Sequence, residues 1–592
     1  MEDKRTAIAI FLCILVVLVY SELFINPVTQ EAVRQEQLRK AEAAGVTTQS
    51  SGSAQSTVPE ILPAAQSTGL PTGSAAAPST LAVPRPSEVR AGGVVVVDAP
   101  LYKAEIGLVG GRLLSFQLKN YAEVLHGKDP HDLVPLNPED APQELPLGLF
   151  MPGFSDTRVR YSVSGASGTS EQGSYTMLPG SELKIDLIGS LPEGLSFTKS
   201  LHFKSDSYLF DLNAAVLRNN QPLSVPLWVE WSHFTKLSLN DQRMNPETFS
   251  MLGIDGKVTK FAVDKVIENH PNFGSATWVS FGERYFISAL ISAGAENNSL
   301  VDKRSLRSDA ALLGEQYITR IQTAPNSGQM SVYVGPKDYR ILNQAGYQLH
   351  RTIDLGFFSF LGYPLLWLIR FFQEILGNYG LAIIFLTLLI KALFLPITKA
   401  SFDSARAMQE LQPEMKALKE RIKDPNKLNQ EMAALFKKRG VNPLGGCLPI
   451  FLQIPVFFGL YSALLNSIEL RHAHFALWIK DLSAPEYFPV GALHIPVMMI
   501  IVGLAMFWQQ FSMPQPPDPA QRRMMLIMTA VFAGMFIIFP LPSGLVLYML
   551  VNIFMSITQQ TYLRSDRKAS PFAATLVAGV AIFGLGFVLT LL

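Results

Sequence analysis

The sequence predicts an α-helical polytopic membrane protein, a five-helix core plus an N-terminal anchor helix, with an all-β sandwich domain inserted between them. Three observations carry that prediction. Of 592 residues, 48% are hydrophobic and only 16% charged, whereas a soluble globular chain carries about a quarter charged residues. Apolar runs able to cross the roughly 30 Å hydrocarbon layer of a bilayer recur near both ends of the chain. Between them, residues 91–335 alternate apolar and polar with period two. The formal net charge of +1 points to no polyanionic partner, and direct nucleic-acid recognition is not expected. Cys13 and Cys447 lie far apart in separate apolar runs, so they read as small buried hydrophobes rather than a disulfide framework.

The first run, Thr6–Ile25, follows Lys4 and Arg5. It is long, and no small-x-small cleavage pattern follows it, so it reads as an uncleaved anchor over 1–26 with its N-terminus inside the cell. Residues 27–90 are a linker, rich in Ala, Ser, Gly, Thr, Pro and Gln from Glu42 onward and too poor in apolar surface to order itself. Residues 91–340 form the β-sandwich, through the runs Val94–Asp98, Leu183–Ile188, Phe197–Phe203, Tyr208–Leu217, Val225–Trp231, Ala276–Ile291, Gln316–Ile321 and Met330–Val334, with Gly, Pro, Asn and Asp between them. Within 341–378, Phe357–Leu376 carries Arg370, Gln373 and Glu374 in its second half and reads as an amphipathic helix lying in the membrane interface. The core, 379–563, holds the spans Tyr379–Lys399, Cys447–Ser467, Leu493–Phe511, Met524–Phe539 and Leu545–Tyr562.

Orientation follows from the basic residues. With the N-terminus inside, the short inner stretches hold seventeen Lys and Arg, and the short outer loops hold only Arg471 and Lys480. The segment 400–440 is then an inner helical hairpin. Met408, Leu411, Met415, Leu418 and Ile422 form one stripe, Leu428, Met432, Leu435 and Phe436 the facing one, and Asp424-Pro425-Asn426 the turn. Its outer surface is mildly basic, either a solvated charged face or a docking surface for a partner or for anionic lipid headgroups.

Polar side chains in the spans gather at one depth. Lys391 lies in the inner half of the second span, where a cation costs about 2.5–3.5 kcal/mol on insertion scales and ordinarily faces a cavity or a partner. Thr387 lies one turn above it. Gln453 is in the inner half of the third span, and Gln509 and Gln510 end the fourth on the inside. Tyr548, Asn552, Ser556 and Gln559 make one stripe down the sixth. Together these predict a hydrated vestibule open to the cytoplasm and closed on the other side. For any single amide the alternative is hydrogen-bonded glue between helices. Met524–Phe539 is 16 residues, about 24 Å at 1.5 Å per residue, short for the hydrocarbon layer. It offers Met524, Met525, Met528 and Met535, which with Phe457 form an adaptable apolar slide, or simply fill gaps in a core.

A resemblance then becomes specific. Lys391-Ala-Leu-Phe-Leu-Pro396-Ile-Thr-Lys399-Ala400, Leu411-Gln412-Pro413, Val441-Asn442-Pro443-Leu444-Gly445-Gly446-Cys447, Phe475-Ala-Leu-Trp478-Ile-Lys-Asp481-Leu482-Ser483, Pro542-Ser543-Gly544-Leu545 and Gln559-Gln560 resemble the YidC membrane protein insertases of Gram-negative type. The resemblance covers nearly the whole chain to about Arg564. It implies a non-enzymatic insertase and chaperone of the bacterial inner membrane, working alone or with the Sec translocon, with a periplasmic β-sandwich and no cofactor. The implied partners are nascent membrane proteins and membrane lipids, with the ribosome and the signal-recognition-particle receptor reached through hairpin 400–440. The family's groove holds one arginine, and Lys391 stands in its position. Family tails are basic and cytoplasmic. Here a basic turn, Arg564–Lys568, precedes the uncharged run Pro571–Leu592, which predicts an additional C-terminal helix over 564–592 with Gly579, Gly584 and Gly586 available for close packing.

Two other classes compete. A secondary transporter would also have a polar midplane cavity, but it usually shows paired repeats with broken helices, and none is evident. A tethered β-sandwich enzyme would need a catalytic signature, and 91–335 has no GxSxG, HExxH or metal-ligand spacing. No P-loop or GxGxxG suggests nucleotide use. His472-x-His474 lacks further ligands nearby in sequence and reads as an ordinary interfacial pair.

Overall fold

The computed structural model describes residues 83–591 apart from short stretches, the longest being 236–244, 442–447 and 565–570. The expected anchor and nearly all of the linker lie outside the described residues. The linker reading fails at its end. Pro86–Ala91 is a helix (α1), and Val89 on it is buried against Leu114 and Leu145. One short amphipathic turn escapes a compositional average.

The β-domain is a large β-sandwich. A six-stranded sheet runs from Pro130–Asp132 through Arg112–Ala122, Tyr102–Gly107 and Val94–Asp98. A second, far larger sheet closes the core. Its long strand Asn272–Gly282 pairs with Asn298–Ser308 through its first residues and with Phe286–Ser292 and Thr248–Gly253 through its last. A single strand that serves two layers in this way makes a corner of the sandwich. The run Ala276–Ile291, read as one element, is this strand and its hairpin partner, separated by Glu283-Arg284-Tyr285. Tyr102 and Phe116 from the smaller sheet stack at 4.7 Å and meet Phe203 and Phe210 of the larger one, each at 6.3 Å. Such alternate apolar positions are the ones that period two exposes in a sequence.

A buried ionic network crosses this core. Asp156 is fully buried and accepts from Lys199 Nζ at 2.6 Å, Arg112 at 3.2 Å and the Tyr161 hydroxyl at 3.0 Å. Lys199 also donates to the carbonyls of Gly110, Gly111 and Leu147 at 2.7, 3.1 and 2.7 Å. Gly110 and Gly111 both have positive φ, 74° and 55°, which turns two successive carbonyls toward one ammonium at little steric cost. Burial pulls Lys199 down to about 8, so it stays charged at neutral pH. Burial, with the Glu230 carboxylate nearby, pushes Glu144 up to about 7.

After the cap at Asp338, which accepts from Arg340 and Ile341 N–H groups, the chain is helical. The elements are Tyr339–Ala345 (α2), Ser359–Leu376 (α3), Tyr379–Leu393 (α4), Leu395–Glu410 (α5), Gln412–Arg421 (α6), Pro425–Arg439 (α7), Leu448–Asn466 (α8), Val497–Ser512 (α9), Pro519–Ile538 (α10), Ser543–Arg564 (α11) and Pro571–Leu591 (α12). Gly377 at φ 70° ends α3, and the Asn378 side chain caps α4 through the Gly380 and Leu381 N–H groups at 2.8 and 3.2 Å. Arg370 on α3 turns inward to Glu469, and Phe360, Trp367, Phe371 and Ile375 face outward.

Two span expectations change. Tyr379–Lys399 is not one rod, because α4 and α5 meet at a 57° bend. Pro396 lacks the N–H that would bond the Ala392 carbonyl, and its ring collides with that carbonyl. Leu493–Ile495 is a strand paired with Phe488–Val490, so α9 starts at Val497. The helix expected over Met524–Phe539 runs Pro519–Ile538 for 20 residues, about 30 Å, but its added first turn is polar, Gln521-Arg522-Arg523, so its apolar length stays as short as the sequence suggests. Among the described residues, one helix contains a stretch long and apolar enough to cross a membrane by itself, Ala574–Leu591 in α12, and the bent pair qualifies if its two parts form one span. Leu393, Leu504, Trp508, Ile527, Val531 and Val580 point outward, a greasy perimeter that suits lipid rather than water.

The stripe residues of hairpin 400–440 are half-buried, with Leu411 buried, and Arg439 pairs with Glu414 across its two arms. In α12, a Cβ on Gly579 would meet Leu388 at 3.6 Å, one on Gly586 would meet Ile384 at 2.7 Å, and Gly584 faces open space. Two of the three glycines therefore sit where α12 approaches α4.

The ionic network yields a test. Asp156→Ala strands Lys199 and Arg112 as buried cations, and the β-domain should lose about 3–5 kcal/mol, read from denaturant midpoints by tryptophan fluorescence.

Candidate functional site

Lys391 occupies the last turn of α4 and is half-buried. Its Nζ donates to Ser556 Oγ of α11 at 2.8 Å. Ser556 in turn donates to the Asn552 carbonyl of its own helix at 2.8 Å, which leaves its oxygen lone pairs for the ammonium. No carboxylate acts on Lys391 among the described residues. The site is one positive charge held by a hydroxyl between two apolar helices.

Other predicted residues divide. Gln453 Nε2 donates to the Tyr548 hydroxyl, linking α8 to α11, and the Phe457 ring lies 6.5 Å from that of Tyr548. Thr387 is 1% exposed and donates to the Ile383 carbonyl at 2.7 Å. It bonds its own helix. Asn552 is half-buried beside Ser556. Gln559 is 3% exposed, and neither its amide nitrogen nor its oxygen has a partner. A buried amide with no protein partner is rare and requires an explanation. Gln509 and Gln510 are half-buried at the end of α9, which packs on α10 and α11. Met524, Met525, Met528 and Met535 are also half-buried. The outward face of α10 belongs to Ile527, Val531 and Phe532, so the methionines back the surface that they were expected to form.

Sequence reasoning missed the outer plug. Ser543 and Gly544 donate backbone N–H bonds to Ala484 and Leu482 at 2.8 and 2.9 Å, and Ser543 Oγ donates to the Asp481 carbonyl at 2.6 Å. Phe475 lies so close to Gly380 that a Cβ there would come within 2.0 Å of its ring, and Asn378 holds the Phe475 carbonyl at 3.0 Å. Trp478 Nε1 donates to Glu486 at 2.9 Å, and the other oxygen of Glu486 accepts from Met498 N at the start of α9. Two motifs that stand far apart in sequence, Trp478–Ser483 and Pro542–Leu545, are thus one knot at the end of the bundle opposite Ser556. The signal was their unusual polarity between apolar runs, but a sequence does not say that they touch.

A β-sandwich built onto an apolar helical core defines a membrane protein with an attached β-domain. The family model described as 60Kd inner membrane protein matches residues 371–570, and that described as YidC periplasmic domain matches residues 94–368. A membrane protein insertase YidC from Geobacter sulfurreducens is 35% identical over 79% of this chain and 85% of its own length. One from Geotalea daltonii is 34% identical over 96% of this chain and all of its own. A solved structure of an active YidC insertase with its first transmembrane domain resolved is 18% identical, covering 82% of this chain and 96% of that one with a TM-score of 0.33. The chain belongs to the YidC membrane protein insertase family, with an inner-membrane core and a periplasmic β-domain.

The Lys391–Ser556 contact makes a prediction. If water reaches the ammonium, Ser556→Ala costs less than about 1 kcal/mol, because water replaces the hydroxyl; in a dry pocket the unpaired charge would cost upward of that. Thermal melts in detergent read the difference.

Proposed function

We propose that this chain inserts and helps fold hydrophobic proteins in the inner membrane, using a hydrated groove open to the cytoplasm with Lys391 as its central cation. The observation that carries this reading is an ammonium between two membrane helices that has a hydroxyl for a partner and no carboxylate to neutralise it. Such a charge is free to attract an acidic guest. The polar flank of an entering protein pairs transiently with Lys391, while its apolar segment passes Phe457 and the outward face of Ile527, Val531 and Phe532 into lipid. Met524, Met525, Met528 and Met535 lie behind that face, where their flexible thioethers let it adjust. Gln453, Tyr548, Asn552, Ser556 and Gln559 line the path, Gln509 and Gln510 stand at its inner mouth, and Thr387 holds the helix that carries the cation. Apolar partitioning of the guest supplies the drive, and the groove lowers the cost of taking its polar flank out of water.

In this reading the protein is multi-pass with a cytoplasmic N-terminus, and it acts alone or with the Sec translocon. Hairpin 400–440 is the docking surface for the ribosome and the signal-recognition-particle receptor. The competing reading, a secondary transporter with a midplane polar cavity, has only the cavity in its favour.

Two experiments test this. In proteoliposomes, Lys391→Ala should reduce insertion of a substrate with an acidic tail roughly tenfold, the worth of about 1.4 kcal/mol, while Lys391→Arg retains it and a neutral-tailed substrate is indifferent. Equal insertion of both substrates by Lys391→Ala would remove the charge from the mechanism. For topology, α12 crosses the membrane, so a C-terminal tag should resist protease in sealed inverted vesicles. Digestion of that tag would return the C-terminus to the cytoplasm.

A further inference from the structure

The β-domain holds a cluster of ionisable groups that the proposed insertion path does not use. His233 lies on the strand Trp228–Thr235, Glu247 immediately precedes Thr248–Gly253, and Glu283 follows Asn272–Gly282. One ligand atom from each lies within 4.8 Å of the other two. His233 Nε2 and Glu283 Oε1 stand 3.6 Å apart, too far for a good hydrogen bond. Two donors bound to one tetrahedral ion at 2.0–2.2 Å sit about 3.4 Å apart. Side-chain rotation of about 1 Å would close the set around a common centre.

The surroundings already orient these groups. Thr235 Oγ1 donates to Glu247 Oε1 at 2.6 Å. Asn245 Nδ2 donates to Glu283 Oε2 at 2.6 Å, and its Oδ1 accepts from Arg284 N at 2.8 Å. The His233 ring stacks on Phe281 at 4.4 Å. Hydrogen bonds to the far oxygens of ligating carboxylates are the usual outer support of a metal site.

The decisive atom is Glu247 Oε2. Glu247 is only 9% exposed, and this oxygen is buried with no hydrogen-bond partner among the described residues. A buried carboxylate oxygen without a donor is costly. Burial, with the carboxylates of Glu283 and Glu315, pushes Glu247 up to about 8, and burial pulls His233 down to about 4.

We propose that His233, Glu247 and Glu283 form a three-ligand site for a divalent transition-metal ion of the zinc type in the periplasmic domain. One imidazole nitrogen with two carboxylate oxygens is a borderline donor set. It suits Zn²⁺ better than Ca²⁺ or Mg²⁺, which ask for oxygen ligands throughout. The ion would tie the Trp228–Thr235 strand to the corner made by Asn272–Gly282. Its ligands, fourteen and thirty-six positions apart on separate elements, match no local metal motif.

The test uses the full chain in detergent, stripped with EDTA, desalted and loaded with Zn²⁺ alone. Metal analysis should find one tightly held zinc per chain, and thermal melts should shift upward on loading. Glu247→Gln, nearly isosteric, should weaken zinc binding by about 10-fold or more and abolish the shift. His233→Asn and Glu283→Gln should behave like Glu247→Gln toward zinc, and Lys391→Ala should bind zinc as wild type does. Zinc retained equally by wild type and Glu247→Gln, or no zinc retained by wild type, overturns the proposal.

Discussion

An uncompensated ammonium within a greasy bundle is the constraint around which the helical half is arranged. Lys391 costs free energy wherever its head group is dry, and the fold reduces that cost by geometry rather than by neutralisation. Pro396 breaks the helix a turn beyond the lysine, and the 57° bend sends the next helix away from the bundle axis. Lys391 thus ends a helix instead of standing in the middle of a long one. A last-turn position also favours a cation, since unsatisfied carbonyls concentrate negative charge at a helix C-terminus. A carboxylate partner would have neutralised the charge; Ser556 Oγ instead holds the ammonium in place without neutralising it.

The two ends of the bundle differ in how their polar groups are satisfied. On the side away from Lys391, backbone and side-chain donors of Ser543, Gly544, Asn378 and Trp478 all find acceptors in the loop 475–486, and the β-domain is fastened nearby. Arg471 donates to the carbonyls of Ala122 and Glu123 at 2.8 and 3.0 Å and lies over the Phe286 ring, while Asn466 holds the Asp354 carbonyl at 2.9 Å. On the Lys391 side, Gln559 keeps a whole amide without a protein partner. In a medium without water every backbone and amide group must be satisfied internally. The tight end bears some of this cost too, since Arg370 Nε beside Glu469 is buried without a partner among the described residues; Gln559 differs in that its amide nitrogen and oxygen are both open.

Much of this was legible in the sequence wherever a period or a breaker writes structure locally. The strand Val94–Asp98 is of this kind, as are the turn at Asp424 and the stripe from Met408 to Ile422. Lys391 and Ser556 could each be singled out by polarity at a given depth. That they touch could not, because 165 positions separate them and only packing decides which faces meet. The misreadings have local causes. The apolar stretch of α10 is shorter than its helix because Gln521, Arg522 and Arg523 are good helix formers that hydropathy discounts. Leu493–Ile495 is apolar enough for a span but pairs as a hairpin strand. Thr387 was placed by helical spacing on the lysine's face, yet a buried threonine in a helix has the preceding carbonyl as a ready acceptor.

The choice of lysine at this position follows from what the pocket supplies. A guanidinium presents five donors in a rigid fork and leaves several unsatisfied unless acceptors surround it. Around residue 391 one hydroxyl is in contact, and the adjoining positions on α4, Ile390, Ala392 and Leu393, are hydrocarbon. An ammonium is compact, turns freely on its stem and requires fewer partners. It is also the more strongly hydrated of the two cations, so a lysine that stays charged here draws water in with it. In the proposed mechanism that hydration keeps the groove wet, and a guest carboxylate would exchange for water rather than for a fixed protein partner.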